Sequence, residues 1–315
     1  MGVPVDFGEG IYLVDADYLR PGLAAIHLIV EKGRVALIDT GTSLSLPGLL
    51  EALDHLGLSQ GAVDYVILTH VHLDHAGGAG AMMRAFRQAK LVVHPRGARH
   101  MIDPTKLIEG ATAVYGEDYI AKIYPDILPI DAARVIEAQD GTEISLSGRK
   151  LTCLDAPGHA YHHIAIADER GGVFTGDVFG LSYRELDVAG RQFIFPTTTP
   201  TQFDPEAMHK TVERIVGLHP PAVYQTHYGK FADVSGGARD LLRRLDHIVG
   251  LAIGEMSAGE ERHRQIKTKM LNYLIVEARL HGSRLPDSSL AEIWGMDIEL
   301  NTQGLIYWLD KSADR

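Results

Sequence analysis

Sixteen histidines are many for 315 residues, and their placement points to metal chemistry. Three crowd one short run, His70-Val71-His72-Leu73-Asp74-His75. His159 closes Asp155-Ala156-Pro157-Gly158-His159, Asp177 follows Gly176, and His227 follows Thr226. Imidazole and carboxylate are the ligand set of zinc, manganese and iron. A tetrahedral ion takes only four ligands. Five histidines and two aspartates instead suit two ions about 3.5–4 Å apart that share a carboxylate and a hydroxide. The run is too short and too close to Gly77 and Gly78 for a helical zinc motif, so adjacent Asp74 and His75 are free to serve different ions. Cys153 is the only cysteine, which excludes a thiolate cage, an iron–sulfur cluster and any internal disulfide.

Each of these ligands needs an element to end where it stands. Short apolar runs at 11–14, 25–30 and 35–38 alternate with the turn signals Pro21-Gly22 and Lys32-Gly33 and read as strands. Residues 44–56 have helical spacing with Gly57 as a stop. The run 63–68 is nearly continuous, as in a strand buried on both faces, and leads into Thr69-His70. A helix over 77–89 and a strand over 91–94 follow. Strands at 142–146, 150–154, 163–167 and 173–174 deliver His159 and Asp177, and a last one at 222–225 delivers His227. Asp204-Pro205 opens a helix to about 216 as an N-cap with proline at the first helical position. Four strands thus place His or Asp at their carboxyl ends, where α/β proteins build sites. Residues 103–139, broken by Pro104, Gly110, Gly116, Pro125 and Pro129, are expected to form a lid-like insertion, and 179–203 a long functional loop. Helical periodicity over 235–249 and 259–280, with shorter helices after Pro286 and Asn301, gives a domain of residues 1–232 followed by a helical extension, 233–315.

The segment Thr69-His70-Val71-His72-Leu73-Asp74-His75-Ala76-Gly77-Gly78, followed in order by His159, Asp177 and His227, resembles the metallo-β-lactamase superfamily over residues 8–232. The resemblance implies an α/β fold, an αββα sandwich with metals at one edge. It implies His70, His72 and His159 on a first ion, Asp74, His75 and His227 on a second, and Asp177 bridging. Leu37-Ile38-Asp39-Thr40-Gly41 matches the early strand-to-turn motif, whose aspartate supports the site from behind the ligands. A bridging aspartate, with Cys153 off the lactamase cysteine pattern, is similar to glyoxalase II, lactonases and phosphodiesterases. Pro157-Gly158-His159 looks like glyoxalase II, but that family's basic glutathione-binding residues are not recognisable here.

The expected activity is hydrolysis of an ester, thioester or lactone by a metal-bridging hydroxide. Zinc is the first choice of metal, with iron or manganese compatible. Asp74 and Asp177 are candidate catalytic groups, and Tyr228 is a candidate hydrogen-bond donor to the oxyanion. Phosphodiester hydrolysis and a low-turnover signalling or ligand-binding role are the alternatives, and iron–oxygen chemistry is also open. The net charge of −11 disfavours a long polyanion such as nucleic acid. No apolar run reaches the length of a membrane span, and residues 1–10 lack the basic start of a secretory signal. The expectation is a cytoplasmic protein acting on a small molecule, with the C-terminal helices as an available homodimer surface. Gly77-Gly78-Ala79-Gly80 is set aside as a dinucleotide loop, because the third glycine is missing and metal ligands occupy the turn.

Overall fold

The computed structural model describes residues 3–198, 200–256 and 259–313. Two mixed sheets form the frame. The first has seven strands in sequence order: β1 (Val5–Asp6), β2 (Ile11–Asp15), β3 (Ala25–Glu31), β4 (Arg34–Ile38), β5 (Val63–Ile67), β6 (Lys90–Val93) and β7 (Val135–Glu137). β1 to β4 pair antiparallel, and β4 to β7 pair parallel. The second comprises β8 (Glu143–Leu146), β9 (Arg149–Asp155), β10 (Ile164–Asp168), β11 (Val173–Gly176), β12 (Val223–Gln225) and β13 (Gly229–Phe231), in the reverse spatial order β13 to β8. Only β11 and β12 run parallel there. β7 and β13 are short strands that the sequence periodicity does not announce.

The helices are α1 (Leu46–His55), α2 (Leu73–Ala76), α3 (Ala79–Ala85), α4 (Pro95–Ile102), α5 (Thr105–Tyr115), α6 (Glu117–Ile123), α7 (Pro205–Gly217), α8 (Val234–Gly254), α9 (Arg262–His281), α10 (Asp287–Ile293) and α11 (Gly295–Ala313). Among the described residues, none is long and apolar enough to cross a membrane. The expected sandwich with C-terminal helices is what the chain forms.

The chain divides into two compact units. The first comprises Met1–Ala156, His162–Gly176 and Pro220–Ala232; the second comprises Pro157–Tyr161, Asp177–His219 and Asp233–Arg315. In the first, alternating residues of both sheets (Ile29, Ile38, Ile67, Ile144, Ile164, Ile166, Phe174) meet in one dry layer. The opposite face of the first sheet packs under α1, α3 and α4 through Leu49, Leu53, Met82, Met83, Phe86 and Met101. Burial of that much apolar surface, at about 25 cal/mol per Å², is the main force holding the strand ends in register. Cys153 lies in the inter-sheet layer, where burial raises its thiol to about 12, so it is an inert strand residue, as expected.

In the second unit the loop over 179–203 is anchored rather than open. Phe193 and Phe195 are fully buried against Trp294, and the Arg244 guanidinium lies 4.2 Å from the Phe193 ring centre. Tyr183 donates its hydroxyl to Asp297 at 3.1 Å. Thr199, part of the Thr197-Thr198-Thr199 run in this loop, lies outside the described residues. Instead of a short helix after Asn301, α11 runs unbroken from Gly295. Asn301 does not compete with its own helix, because its amide accepts from Thr198 N at 2.7 Å and donates to Pro196 O at 3.0 Å.

Candidate metal centre

The parallel strands bring their carboxyl ends to one rim. Ile38 of β4 is in register with Ile67 of β5, and Gly176 of β11 with Gln225 of β12. Backbone bonds from Ile164 N to Thr69 O (2.7 Å) and from Ala25 N to Thr226 O (2.9 Å) tie the two sheets together there. The residues that follow β5 and β12 therefore emerge side by side.

Asp39 is the hub of this rim. Fully buried, it accepts from Thr69 N (2.8 Å), Thr69 Oγ1 (2.8 Å), Thr226 Oγ1 (2.7 Å) and His75 Nδ1 (2.8 Å). Its backbone is left-handed at φ +60°, a region that Asp and Asn tolerate better than most residues. The hydrogen-bond pattern fixes the imidazoles. A carboxylate has no proton to give, so His75 Nδ1 donates and Nε2 carries the lone pair. The carbonyl of Leu23 lies 2.5 Å from His227 Nδ1 and sets the same tautomer in His227. Thr69 gives its proton to Asp39 and accepts from His70 Nδ1 at 3.1 Å, so His70 Nε2 is also unprotonated. Fixing ligand tautomers from behind is how metal sites are tuned.

The freed lone pairs converge. His227 Nε2 lies 3.3 Å from His75 Nε2 and 3.2 Å from Asp74 Oδ2, and His75 Nε2 is 3.7 Å from the same oxygen. His70 Nε2 and His72 Nδ1 are 2.9 Å apart. Three electron-pair donors aimed at one point repel one another unless a cation lies between them. The donor set Asp74, His75 and His227 therefore fits a divalent metal, with all its ligand atoms within 4.8 Å of one another.

The remaining two expected ligands belong to the second unit. His159 Nε2 is 3.5 Å from Asp177 Oδ2, and both side chains are buried. Their turn is clamped on α7. Thr211 Oγ1 donates to Pro157 O at 2.6 Å, and Asp204 N donates to Gly158 O at 2.8 Å. Gly158 is at φ +136°, and a Cβ there would come within 2.4 Å of the Met208 backbone. Asp204 itself caps α7 as expected, accepting from Ala207 N at 3.0 Å.

Sequence reasoning treats the ligand run as non-helical, but Asp74 and His75 stand on α2, a single helical turn with His72 at its N-cap. The helix expected over 77–89 is restricted to α3. Gly78 allows the turn to begin close to the rim, since a Cβ there would meet Thr42 O at 2.5 Å. Tyr228 donates its hydroxyl to Asp15 Oδ2 at 3.2 Å. His162 receives a hydrogen bond from Val71 N at 3.4 Å and stacks 6.2 Å from His70, and burial holds its pKa down to about 2. His94 caps α4 by accepting from Arg96 N at 3.0 Å. The hydroxyls of Thr69 and Thr226 are the functional groups that the motif reading overlooks. The repeated Thr-His pair at two strand ends is the signal for them.

Comparison with known proteins follows the same line. The model of the family described as the Metallo-beta-lactamase superfamily matches residues 19–227. The chain is 26% identical over 269 residues to the metallo-beta-lactamase fold-containing protein ST1585 of Sulfurisphaera tokodaii, covering 83% of this chain and 95% of that one. It is 30% identical over 184 residues to the acyl-coenzyme A thioesterase MBLAC2 of Gallus gallus, covering 54% of this chain and 63% of that one. The solved metallo-beta-lactamase family protein TTHA1429 of Thermus thermophilus superposes with a TM-score of 0.69 at 20% identity, covering 98% of this chain and 95% of that one.

Proposed function

From the chain's membership of the metallo-beta-lactamase superfamily, we propose that it is a dinuclear metal-dependent hydrolase acting on an ester, thioester or lactone. His70, His72 and His159 would hold one ion, and Asp74, His75 and His227 the other, with Asp177 shared between them. The chemistry of this all-nitrogen-and-oxygen donor set favours zinc and is compatible with iron or manganese. Two such ions supply polarisation of a carbonyl and acidification of water, so that hydroxide exists near neutral pH without a serine or cysteine nucleophile.

The observation that carries this reading is the convergence of Asp74 Oδ2, His75 Nε2 and His227 Nε2 within 3.2–3.7 Å, with both imidazole tautomers fixed from behind. Asp39 holds His75 in orientation, and the Leu23 carbonyl does the same for His227. Asp74, half-buried beside them, is the carboxylate placed to accept a proton. The inert Cys153 leaves no competing thiol nucleophile in the chain. The likeness to an acyl-coenzyme A thioesterase supports the acyl-transfer class over phosphodiester hydrolysis.

The test is metal analysis of protein isolated without added metal, paired with a panel of lactones, thioesters and bis-p-nitrophenyl phosphate. Two equivalents of metal with turnover concentrated on the acyl substrates is the expected result. Phosphodiester turnover exceeding acyl turnover, or metal-free protein retaining full activity, overturns the proposal.

A further inference from the structure

Val71 stands between two of the expected ligands, His70 and His72, and the run that carries it is held from outside the ligand set. Ile164 N donates to Thr69 O at 2.7 Å, and beside that bond Val71 N donates to His162 Nδ1 at 3.4 Å. The imidazole of His162 thus adds a rung where the loop before β10 runs along the end of β5. α4 presses on the same two residues. A Cβ at Gly97 would meet Val71 Cγ1 at 2.8 Å and lie 3.8 Å from His162 Cβ, so glycine is what lets the helix come this close. The His162 ring is held nearly perpendicular to that of His72, with centres 5.6 Å apart, and stacks 6.2 Å from that of His70.

The bond from Val71 decides the tautomer. Nδ1 accepts a backbone N–H and cannot carry a proton there, so the ring proton is on Nε2. Among the described residues that N–H has no hydrogen-bond partner, and it is not sealed from water, since His162 keeps 7% of its surface exposed. Side chains this deeply buried ordinarily have their donors paired. His70, His75 and His227 have their protons drawn to Nδ1 and leave lone pairs on Nε2, as suits a cation. His162 has the opposite tautomer and offers a proton, as suits an oxygen that is gaining negative charge.

We propose that His162 is a catalytic residue, its Nε2–H donating to the acyl oxygen of the substrate beside His72. When hydroxide adds to the acyl carbon, the carbonyl π pair moves onto oxygen, and the hydrogen bond to that oxygen strengthens without transfer of the proton. Collapse of the adduct returns the pair and expels the leaving group. The inference rests on the hydrolase reading, and its test separates the two. His162→Asn keeps an acceptor at the Nδ1 position for Val71 N but lacks the outer N–H, whereas His162→Gln puts an NH₂ group near the Nε2 position. With metal-loaded protein and S-butyryl-N-acetylcysteamine, His162→Asn is expected to lose about 10²–10³ in kcat, the worth of an oxyanion donor. KM should stay within about twofold, because the bond counts in the transition state, and metal stoichiometry and melting temperature should be unchanged. His162→Gln should recover part of the loss. Calorimetric titration with butylphosphonate, a tetrahedral anion, reads the donor without turnover: wild type is expected to bind it at least about tenfold more tightly than His162→Asn. If the thioester is not turned over while that difference in binding persists, the hydrolase reading fails and the donor stands. Butylphosphonate bound equally by the two proteins overturns the donor, and thioester turnover unchanged in His162→Asn overturns it while leaving the hydrolase reading intact. Loss of metal from His162→Asn also overturns it, since His162 would then act only as a strut for the ligand run.

Discussion

Asp39→Asn isolates the part of the metal centre that the ligands themselves do not supply. Asparagine preserves the shape and tolerates the left-handed backbone at φ +60°, where alanine would add strain of about 1–2 kcal/mol. The oxygen facing Thr69 N at 2.8 Å is kept. The Oδ2 position, which accepts from His75 Nδ1, Thr69 Oγ1 and Thr226 Oγ1, becomes an NH₂ group. The threonine hydroxyls can rotate to accept from it. The imidazole cannot do so while it keeps its Nδ1 proton, so the favoured response is the other tautomer, with the proton on Nε2. That proton occupies the lone pair aimed at Asp74 and His227. Loss of an outer-shell partner of this kind costs about 10–100-fold in metal affinity, or about 1.4–2.7 kcal/mol. Giving up one hydrogen bond to a charged group removes a further ~1.5–3 kcal/mol of folding stability. The assay is a competitive chelator titration with metal stoichiometry, alongside thermal unfolding and long-range ¹⁵N correlation spectra of the histidines. One tightly held ion instead of two, with His75 protonated at Nε2, is the expected outcome. A variant that binds both ions with wild-type affinity refutes the assignment of Asp39 as the group that sets the tautomer.

Three further outcomes follow from the same geometry. His72→Ala or Asp177→Ala should lose metal and activity together while keeping the wild-type circular dichroism spectrum; full activity at unchanged stoichiometry removes either residue from the ligand set. His27 is buried among Phe174 and Tyr224, and burial lowers its pKa to about 4. Because the unfolded chain takes up this proton near pH ~6.5 and the folded chain only near 4, stability is fully present above about 6.5 and declines through that window by up to ~3 kcal/mol. Urea midpoints of wild type against His27→Leu should therefore diverge as pH falls, and parallel curves would contradict the burial effect. For Tyr228→Phe, the hydrogen bond to Asp15 predicts turnover close to that of wild type; a loss of about tenfold or more at unchanged metal content would support the hydroxyl as an oxyanion donor.

Much of this site is legible in the sequence because metal ligation constrains residue type as well as position. Imidazoles and carboxylates at the ends of buried apolar runs are costly unless they serve something, so His70, His72, Asp74, His75 and His227 stand out against the strands that carry them. Caps are equally visible, as at Asp204-Pro205, because a cap is a local device whose donor and acceptor are three residues apart. The strands β7 and β13 are not visible: at three residues each they have no period to detect, and pairing with a neighbour alone defines them. The unbroken α11 escapes the local pattern for a related reason, since the partner that occupies Asn301 lies 103 residues away.

What the sequence determined by itself is the set of candidate metal-binding histidines and aspartates, the strand ends that bear them and the family's fold, all of which follow from residue type and short-range spacing. Only the tertiary structure decided which nitrogen of each imidazole faces its neighbours, because that depends on Asp39, Leu23 and Thr69 brought alongside from other strands. The hydrogen bond between the Tyr18 and Tyr124 hydroxyls, 2.6 Å apart, belongs to the same class. Tyr18 and Tyr124 are 106 residues apart in the chain, and no local pattern records a hydrogen bond made across that separation.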